Sequence, residues 1–199
     1  CDKWIDFLAD TGDGFDSTTT LFYYLTRKNL PYNNMTLNRG QVCIVGGDLV
    51  YPDASEEEYN NRFKGPIRLV LPYNSTSFES ENQKPILLAT PGNHDWYDGC
   101  SAFIRMMCQQ KSIGGFSTIQ HRTYFAYAIT SNLHLLGIDN QLLGDIDIPQ
   151  LDYFKNYVRL LSKDRKQNVL LFVAEPYWYN YSFEERMQYR QRMDSLEYL

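Results

Sequence analysis

The sequence predicts an α/β fold in which mixed β-sheets are flanked by helices. Short apolar runs, each bounded by Gly, Pro, Asn or Asp, recur along the chain, and helical stretches lie between them. Such alternation is typical of layered α/β domains. Two of the runs are separated by only three residues, Thr130-Ser131-Asn132. A turn this short predicts an antiparallel pair of strands, which makes the sheet mixed.

Six apolar runs are predicted as buried strands, because each is short, rich in β-branched or aromatic residues and flanked by turn formers. They occupy residues 4–9, 42–45, 85–90, 124–129, 133–138 and 169–173.

Five stretches between or after these runs are predicted as helices. They occupy residues 18–28, 56–63, 102–110, 148–163 and 183–198. Ser17 is a candidate cap for the first of them. The second opens on three glutamates, and acidic side chains are favourable in the first turn of a helix.

The length and composition of the chain indicate a single domain covering residues 1–199. The formal net charge is −5, with 43% hydrophobic and 22% charged residues, which is ordinary for a globular domain. The acidic balance argues against binding of nucleic acid or of an anionic membrane through a basic surface. No apolar run approaches the ~18 residues of a membrane span. We therefore expect a soluble domain, with the cytoplasm slightly favoured, although it also fits as one part of a larger membrane-attached protein.

The cysteines are not expected to form a disulfide scaffold or a zinc site. Cys43 lies in an apolar run and is predicted to be a small buried side chain. Cys100 and Cys108 lie eight positions apart along a predicted helix, too far for a disulfide. The chain has no Cys-x-x-Cys spacing of the kind that binds zinc.

Polar turns follow three of the predicted strands. Asp10-Thr11-Gly12-Asp13-Gly14 follows the first, Gly46-Gly47-Asp48 the second and Pro91-Gly92-Asn93-His94-Asp95 the third. Ligands of open α/β sheets bind at the carboxyl ends of the strands. A cluster of carboxylate, amide and imidazole donors at that edge suits divalent metal ions.

The three turns also suggest a role for each side chain. Asp48 is a candidate for a carboxylate that bridges two ions, Asp10 for a ligand of one and Asn93 for a ligand of the other. His94 is a candidate for protonating a leaving group or stabilising transition-state charge. Taken singly, each residue also fits an ordinary turn, because Asp and Asn favour turns through local hydrogen bonds.

The three turns resemble the signature of the calcineurin-like metallophosphoesterases. The matching blocks are Asp10-Thr11-Gly12, Gly47-Asp48 and Gly92-Asn93-His94-Asp95. The form Gly47-Asp48-Leu49-Val50-Tyr51 is similar to the purple acid phosphatase variant, in which the Tyr is a metal ligand. Tyr51 also fits a strand-end aromatic residue that packs on Pro52. The resemblance covers roughly residues 4–179.

The resemblance implies a fold, a chemistry and a set of site residues. The fold would be the metallophosphatase sandwich of mixed sheets flanked by helices. The activity would be hydrolysis of a phosphate ester by a hydroxide held between two divalent ions, which in this family are Mn, Fe or Zn. The metal ligands would be Asp10, Asp48, Tyr51 and Asn93. His94 would assist the leaving group, and Asp95 would orient it.

Two departures from the family pattern concern its histidines. Ala174 stands where the family places a metal-binding His, and a methyl group cannot bind a metal. The final Gly-His-x-His turn is absent, and the only histidines are His94, His121 and His134. From their flanking residues, His121 is expected at the surface and His134 in the core.

These departures leave several interpretations open. The chain is a phosphoesterase whose metal site is depleted and whose activity is impaired, or a catalytically inactive relative that serves as a binding or scaffolding module. Ala174 is either natural or an engineered change in an active enzyme. The missing last block also fits a fold that is incomplete at its C-terminal end, as in a fragment of a longer protein.

Overall fold

The computed structural model describes residues 2–73, 84–140, 144–161, 163, 166–175, 182 and 184 of the chain. In chain order its elements are β1 (Ile5–Leu8), α1 (Phe15–Leu25), β2 (Asn29–Tyr32), β3 (Met35–Asn38), β4 (Val42–Gly46), α2 (Glu56–Glu58), a π-helical turn (Tyr59–Lys64), α3 (Gly65–Val70), β5 (Ile86–Thr90), α4 (Ser101–Met107), β6 (Ser117–Thr118), β7 (Phe125–Thr130), β8 (Leu133–Ile138), α5 (Ile148–Arg159) and β9 (Asn168–Val173).

The first sheet is parallel, with strands in the order β1-β4-β5-β6. Every residue of β4 is buried, as expected for a parallel strand covered on both faces. Because the strands are parallel, the carboxyl ends of β1, β4 and β5 lie at one edge of the sheet. The register pairs Leu8 with Val45, and Gly46 with Thr90.

The second sheet is mixed and has the order β7-β8-β9. β7 and β8 form the predicted antiparallel hairpin, and β9 runs parallel to β8. A separate two-stranded hairpin joins β2 to β3. The mixed second sheet beside a parallel first sheet confirms the predicted α/β class.

The two sheets pack face to face, with helices on their outer faces. Between the sheets, Ile44 and Leu88 of the first sheet pack against Phe125 and Leu135 of the second. On the outer face of the first sheet, the largest apolar cluster joins β1, β4 and β5 to α1, the segment from α2 to α3, and α4. On the outer face of the second sheet, α5 packs through Phe154. The architecture is therefore a sandwich of two sheets flanked by helices.

A continuous helical segment runs from α2 through the π-helical turn to α3. Ser55 caps its start by accepting a hydrogen bond from the Glu58 backbone at 3.1 Å. Tyr59 and Phe63 of the π-helical turn are fully buried. The sequence predicts a helix over residues 56–63, and the structure extends it to Val70 through this turn.

Other helix boundaries differ from the predicted ones. α1 begins at Phe15 with Gly14 as its N-cap. Ser17, the predicted cap, lies within its first turn and donates its hydroxyl to the Gly14 carbonyl. α5 ends at Arg159, four residues before the predicted end. The predicted helix at 183–198 lies outside the described residues, apart from position 184.

Three strands were not predicted, and three of the strands predicted to be buried are only partly so: β1, in which Phe7 is 56% exposed, β7 and β9. β2, β3 and β6 were not predicted, because β2 and β3 are polar with an internal Pro31 and β6 has only two residues. β9 is not a buried strand among the described residues: Val169, Leu170 and Leu171 are 47%, 43% and 46% exposed. The reason is its position beside β8 at the edge of the described sheet.

Cys43 is buried, as predicted, and among the described residues Cys43, Cys100 and Cys108 are free. Cys100 and Cys108 flank α4 as its two caps rather than lying within the helix. His134 is buried in the second sheet between Tyr157 and Gln167, and His121 is exposed. Both histidines lie where the sequence predicts. Within the described part of the chain, no helix combines the length and apolar character needed to cross a bilayer.

Candidate metal centre

The three polar turns meet at the carboxyl edge of the first sheet. The ladder between β1 and β4 continues past both strands, because the Asp10 amide donates to the Gly47 carbonyl and the Thr11 amide to the Asp48 carbonyl, each at 3.1 Å. The Tyr51 amide donates to the Gly12 carbonyl at 3.2 Å. These bonds hold the turn after β1 directly beside the turn after β4.

Asp10 and Asp48 share an uncommon backbone conformation. Their φ angles are 53° and 48°, in the left-handed region. Asp adopts this region more readily than most side chains because it bonds locally. Gly47 has a φ of 106°, which side-chain-bearing residues rarely adopt. The chain thus turns sharply at the end of β4 and leaves Asp48 only 8% exposed.

Gly92 allows the turn after β5 to approach the turn after β4. A Cβ added at Gly92 would lie 2.5 Å from the Asp48 backbone nitrogen and 2.7 Å from its carboxyl carbon. Only a residue without a side chain leaves room for Asp48 at this distance. Glycine in this turn is therefore a packing requirement of the site.

The hydroxyl of Tyr51 joins Asp10 to Asp48. It lies 2.8 Å from Asp10 Oδ1 and 2.8 Å from Asp48 Oδ2. Burial, together with the hydrogen bonds to both carboxylates and their charge, raises the pKa of Tyr51 far above its ordinary value. The structure therefore brings together three of the predicted metal ligands through one phenol oxygen.

The second oxygen of Asp48 is held by the turn after β5. Asp48 Oδ1 accepts a hydrogen bond from the His94 backbone at 2.9 Å. Both carboxylate oxygens thus have partners: Oδ2 has the Tyr51 hydroxyl from its own connection after β4, and Oδ1 has the His94 amide from the turn after β5. Asp48 is the residue through which the three turns are connected.

The ring of His94 lies between two tyrosines. Its centroid is 4.4 Å from that of Tyr51 and 4.7 Å from that of Tyr97. His94 Nδ1 lies 2.7 Å from the Pro52 carbonyl oxygen. Because a carbonyl only accepts, Nδ1 carries the proton of this bond. Nε2 is then the nitrogen that can exchange a proton with a ligand.

Asn93 is exposed and has a different neighbour. Its amide nitrogen donates to the Tyr97 hydroxyl at 3.2 Å. This bond leaves the amide oxygen as the atom that can bind a cation. Asn93 lies beside His94 in the chain, yet its side chain makes no hydrogen bond to Asp10, Asp48 or Tyr51.

Asp95 is fully buried and ties two turns together. Its carboxylate accepts from the Leu49 amide at 3.2 Å, from the Gly92 amide at 2.8 Å and from the Tyr59 hydroxyl. It makes no hydrogen bond to the His94 ring, which bonds to Pro52 instead. Asp95 therefore contacts the backbone of the site. It has no hydrogen-bond contact with the His94 ring, which the resemblance implies it would orient.

Burial raises the pKa of Asp95 from its ordinary value of 3.8 to about 7, with a further contribution from the Asp48 charge. The hydrogen bonds from Tyr59, Gly92 and Leu49 act in the opposite direction. The folded chain consequently holds the Asp95 proton more tightly than the unfolded chain.

This shift predicts a pH-dependent stability in the metal-free protein. The stability linked to the Asp95 proton is complete below about pH 4 and is lost as the pH rises through about 7. Urea unfolding of the natural chain and of Asp95→Asn between pH 4 and pH 8 measures this. We expect the natural chain to lose stability relative to the variant as the pH rises. Asp152→Asn, at an exposed position on α5, is the control. Parallel curves for the natural chain and Asp95→Asn would contradict the assignment.

Ala174 follows β9 and lies against the turn after β4. A Cβ added at Gly47 would be 3.0 Å from the Ala174 Cβ and 3.3 Å from the Gly92 Cα. The second sheet thus reaches the same edge as the first. The residue it delivers there has a methyl group and no donor atom.

The described side chains that converge at this edge offer oxygen donors only. Among the residues that the structure describes, no three His, Cys, Asp or Glu side chains are grouped so as to hold a metal ion. The donors that do converge are two carboxylates and a phenol, all oxygen. Oxygen ligands favour Mn²⁺ over Zn²⁺, which in proteins binds mostly through nitrogen and sulfur.

Two residues of the site were not predicted from the sequence. Tyr59, far from the turns in sequence, reaches Asp95 from the helical segment. Tyr97 contacts both Asn93 and His94. Its position three residues after His94, on the same turn, was the sequence feature that could have indicated this contact.

The site is also connected to the end of β8, because the Trp96 indole donates a hydrogen bond to buried Asp139 at 3.0 Å.

A family model described as calcineurin-like phosphoesterase matches residues 3–194. No curated protein matches the chain. The matched range contains all three turns and Ala174.

Proposed function

Because this chain belongs to the calcineurin-like phosphoesterase family, a family of metal-dependent phosphoesterases, we propose that it hydrolyses phosphate esters with a divalent ion held by Asp10, Asp48, Tyr51 and Asn93. The observation that carries the proposal is the Tyr51 hydroxyl, 2.8 Å from both carboxylates. Two carboxylates from separate turns thereby face one point at the edge of the sheet, which supports a cation site there.

A bound divalent ion supplies a Lewis acid for a phosphoryl oxygen and lowers the pKa of water. The chain supplies the rest. Asp48, fixed by His94 and Tyr51, holds the centre of the site. The Asn93 amide oxygen completes the donors on the exposed side. An oxygen-only set makes Mn²⁺ the preferred ion, with Fe and Zn as the other ions of the family.

His94 acts on the leaving group in this proposal. Its Nδ1 proton stays with the Pro52 carbonyl, so Nε2 gives its proton to the departing oxygen when the ring is an imidazolium. Tyr51 and Tyr97 hold the ring between them and restrict its orientation. Asp95 acts through the backbone: it fixes the turns that carry Asp48 and Asn93.

A second candidate function is supported by Ala174. It lies against Gly47 at the edge of the site, and it stands where the family pattern has a metal-binding His. A chain that has lost this donor is suited to bind a phosphate-bearing or other partner without turnover. We therefore keep an inactive binding or scaffolding module as the alternative, of a different class from an enzyme.

The experiment that separates the two is metal stoichiometry. The natural chain and Ala174→His are dialysed against dilute Mn²⁺ and analysed for bound metal, and both are assayed with p-nitrophenyl phosphate. We expect one weakly bound ion in the natural chain. In Ala174→His we expect at least ~10-fold tighter binding and faster hydrolysis, since ligand-shell changes alter affinity by ~10–100-fold.

Leu160→His is the control for an added imidazole, because Leu160 is 84% exposed at the end of α5. It should leave metal binding unchanged. Absence of bound metal and of hydrolysis in both the natural chain and Ala174→His would overturn the enzyme proposal and favour the binding module.

A further inference from the structure

We infer that Tyr59 is a positioning residue of the candidate metal centre: its buried hydroxyl fixes the Asp95 carboxylate, which in turn fixes the turns carrying Asp48 and Asn93. The inference deepens the proposed function and rests on it. It assigns a role to a residue that does not contact the candidate ligands itself.

The hydroxyl of Tyr59 is placed in an otherwise apolar environment. Tyr59 is fully buried and belongs to the large cluster on the outer face of the first sheet. Its ring packs edge-on against Phe63, with centroids 6.4 Å apart. The same cluster also contains the buried rings of Phe22, Phe103 and Phe116. A phenylalanine would satisfy the packing equally well, so the hydroxyl serves its hydrogen bond to Asp95.

The helical segment from α2 to α3 carries Tyr59 to the site, at the start of its π-helical turn. A π turn inserts an extra residue into a helix and changes where the side chains beside it point, and such turns are frequent at functional sites. Tyr59 begins this turn. From this position its hydroxyl donates a hydrogen bond to Asp95 Oδ1, which links the helical layer to the turns at the strand ends.

Asp95 connects Tyr59 to both of the turns that carry candidate ligands. Its carboxylate accepts from the amide of Leu49, the residue after Asp48, at 3.2 Å. It also accepts from the amide of Gly92, the residue before Asn93, at 2.8 Å. One buried carboxylate therefore sets the spacing between the two turns. Removing a donor from such a group leaves it under-satisfied where water cannot replace the bond.

The test is Tyr59→Phe, which removes one oxygen and keeps the ring. Tyr157→Phe is the matched control: its hydroxyl lies 2.8 Å from His134 Nδ1, beneath the second sheet and away from the three turns. Both variants are compared with the natural chain by thermal unfolding, by Mn²⁺ titration calorimetry and by hydrogen exchange of peptides covering residues 46–51 and 91–95.

We expect Tyr59→Phe to exchange at least ~5-fold faster in these two peptides, as the loss of one partner of a buried hydrogen bond predicts. We expect its Kd for Mn²⁺ to rise by ~10-fold or more. Tyr157→Phe should lower the unfolding temperature without changing either quantity. Exchange that rises equally in all peptides, or a Kd and local exchange that match the natural chain, would overturn the inference.

The design separates this inference from the proposed function. Faster exchange confined to the two turns, with no Mn²⁺ bound by any of the three chains, would overturn the proposed function and support Tyr59 as the anchor of the turns. Mn²⁺ binding of equal strength in the natural chain and Tyr59→Phe would support the proposed function and overturn the positioning role.

Discussion

Asp48→Asn is expected to weaken Mn²⁺ binding by more than ~100-fold and to abolish phosphate-ester hydrolysis. Changes outside the ligand shell alone reach ~10–100-fold, and Asp48 is bonded by both neighbouring turns, through the Thr11 amide on its carbonyl and the His94 amide on its carboxylate. Asn has the same shape and tolerates the left-handed conformation at this position. The fold should survive, so that calorimetry and a p-nitrophenyl phosphate assay report the loss of one charge.

The matched control for this change is Asp53→Asn. Asp53 is exposed and lies only five positions away, in the same connection after β4. It should leave Mn²⁺ affinity and hydrolysis unchanged. If Asp48→Asn bound Mn²⁺ as tightly as the natural chain, the assignment of the metal centre to these turns would be wrong.

Gly92→Ala is expected to destabilise the folded chain by about 3 kcal/mol or more, or to prevent folding. The added methyl group would lie 2.5 Å from the backbone nitrogen of Asp48 and 2.7 Å from its carboxyl carbon. Neither atom can move away without displacing the turn after β4, and overpacking of this kind typically costs ~1–3 kcal/mol even where side chains can adjust. Urea unfolding monitored by circular dichroism measures the change.

Gly14→Ala controls for the substitution itself. A Cβ at Gly14 would approach only the Ser17 hydroxyl, at 3.2 Å, a side chain that can rotate. Because Gly14 is the N-cap of α1, we expect a cost of no more than ~1 kcal/mol. Equal stability of Gly92→Ala and Gly14→Ala would show that the two turns are not packed as closely as the structure indicates.

The fold class followed from the sequence because its strands are short apolar runs with clear turn residues at each end. Residues 42–45 are an example: a continuous apolar run fits a parallel strand buried on both faces, and β4 is that strand. The hairpin of β2 and β3 could not be predicted in this way. Its strands carry Pro31 and two asparagines, are largely exposed and, within the described part of the chain, pair only with each other.

The candidate site was predicted in composition and only partly in geometry. Asp10 and Asp48 converge, as their positions after the strands suggested, and Tyr51, which the family resemblance added to the site, joins them. Asp95 faces inward, because two backbone amides and the Tyr59 hydroxyl donate hydrogen bonds to it. The His94 ring makes no such bond to it. Tyr59 was beyond prediction, because a residue in a helix carries no sequence signal for a partner 36 positions away.

The link that Tyr51 makes between Asp10 and Asp48 has a consequence for how fast an ion would bind to the proposed metal centre. Both carboxylates are already held in place by the folded chain, one through the left-handed turn after β1 and one through bonds from two turns. The two carboxylate side chains therefore lose their conformational entropy when the chain folds, and not when the ion binds. A preorganised pair of this kind lets association proceed without a slow rearrangement, so that differences in affinity among variants should appear mainly as differences in dissociation rate.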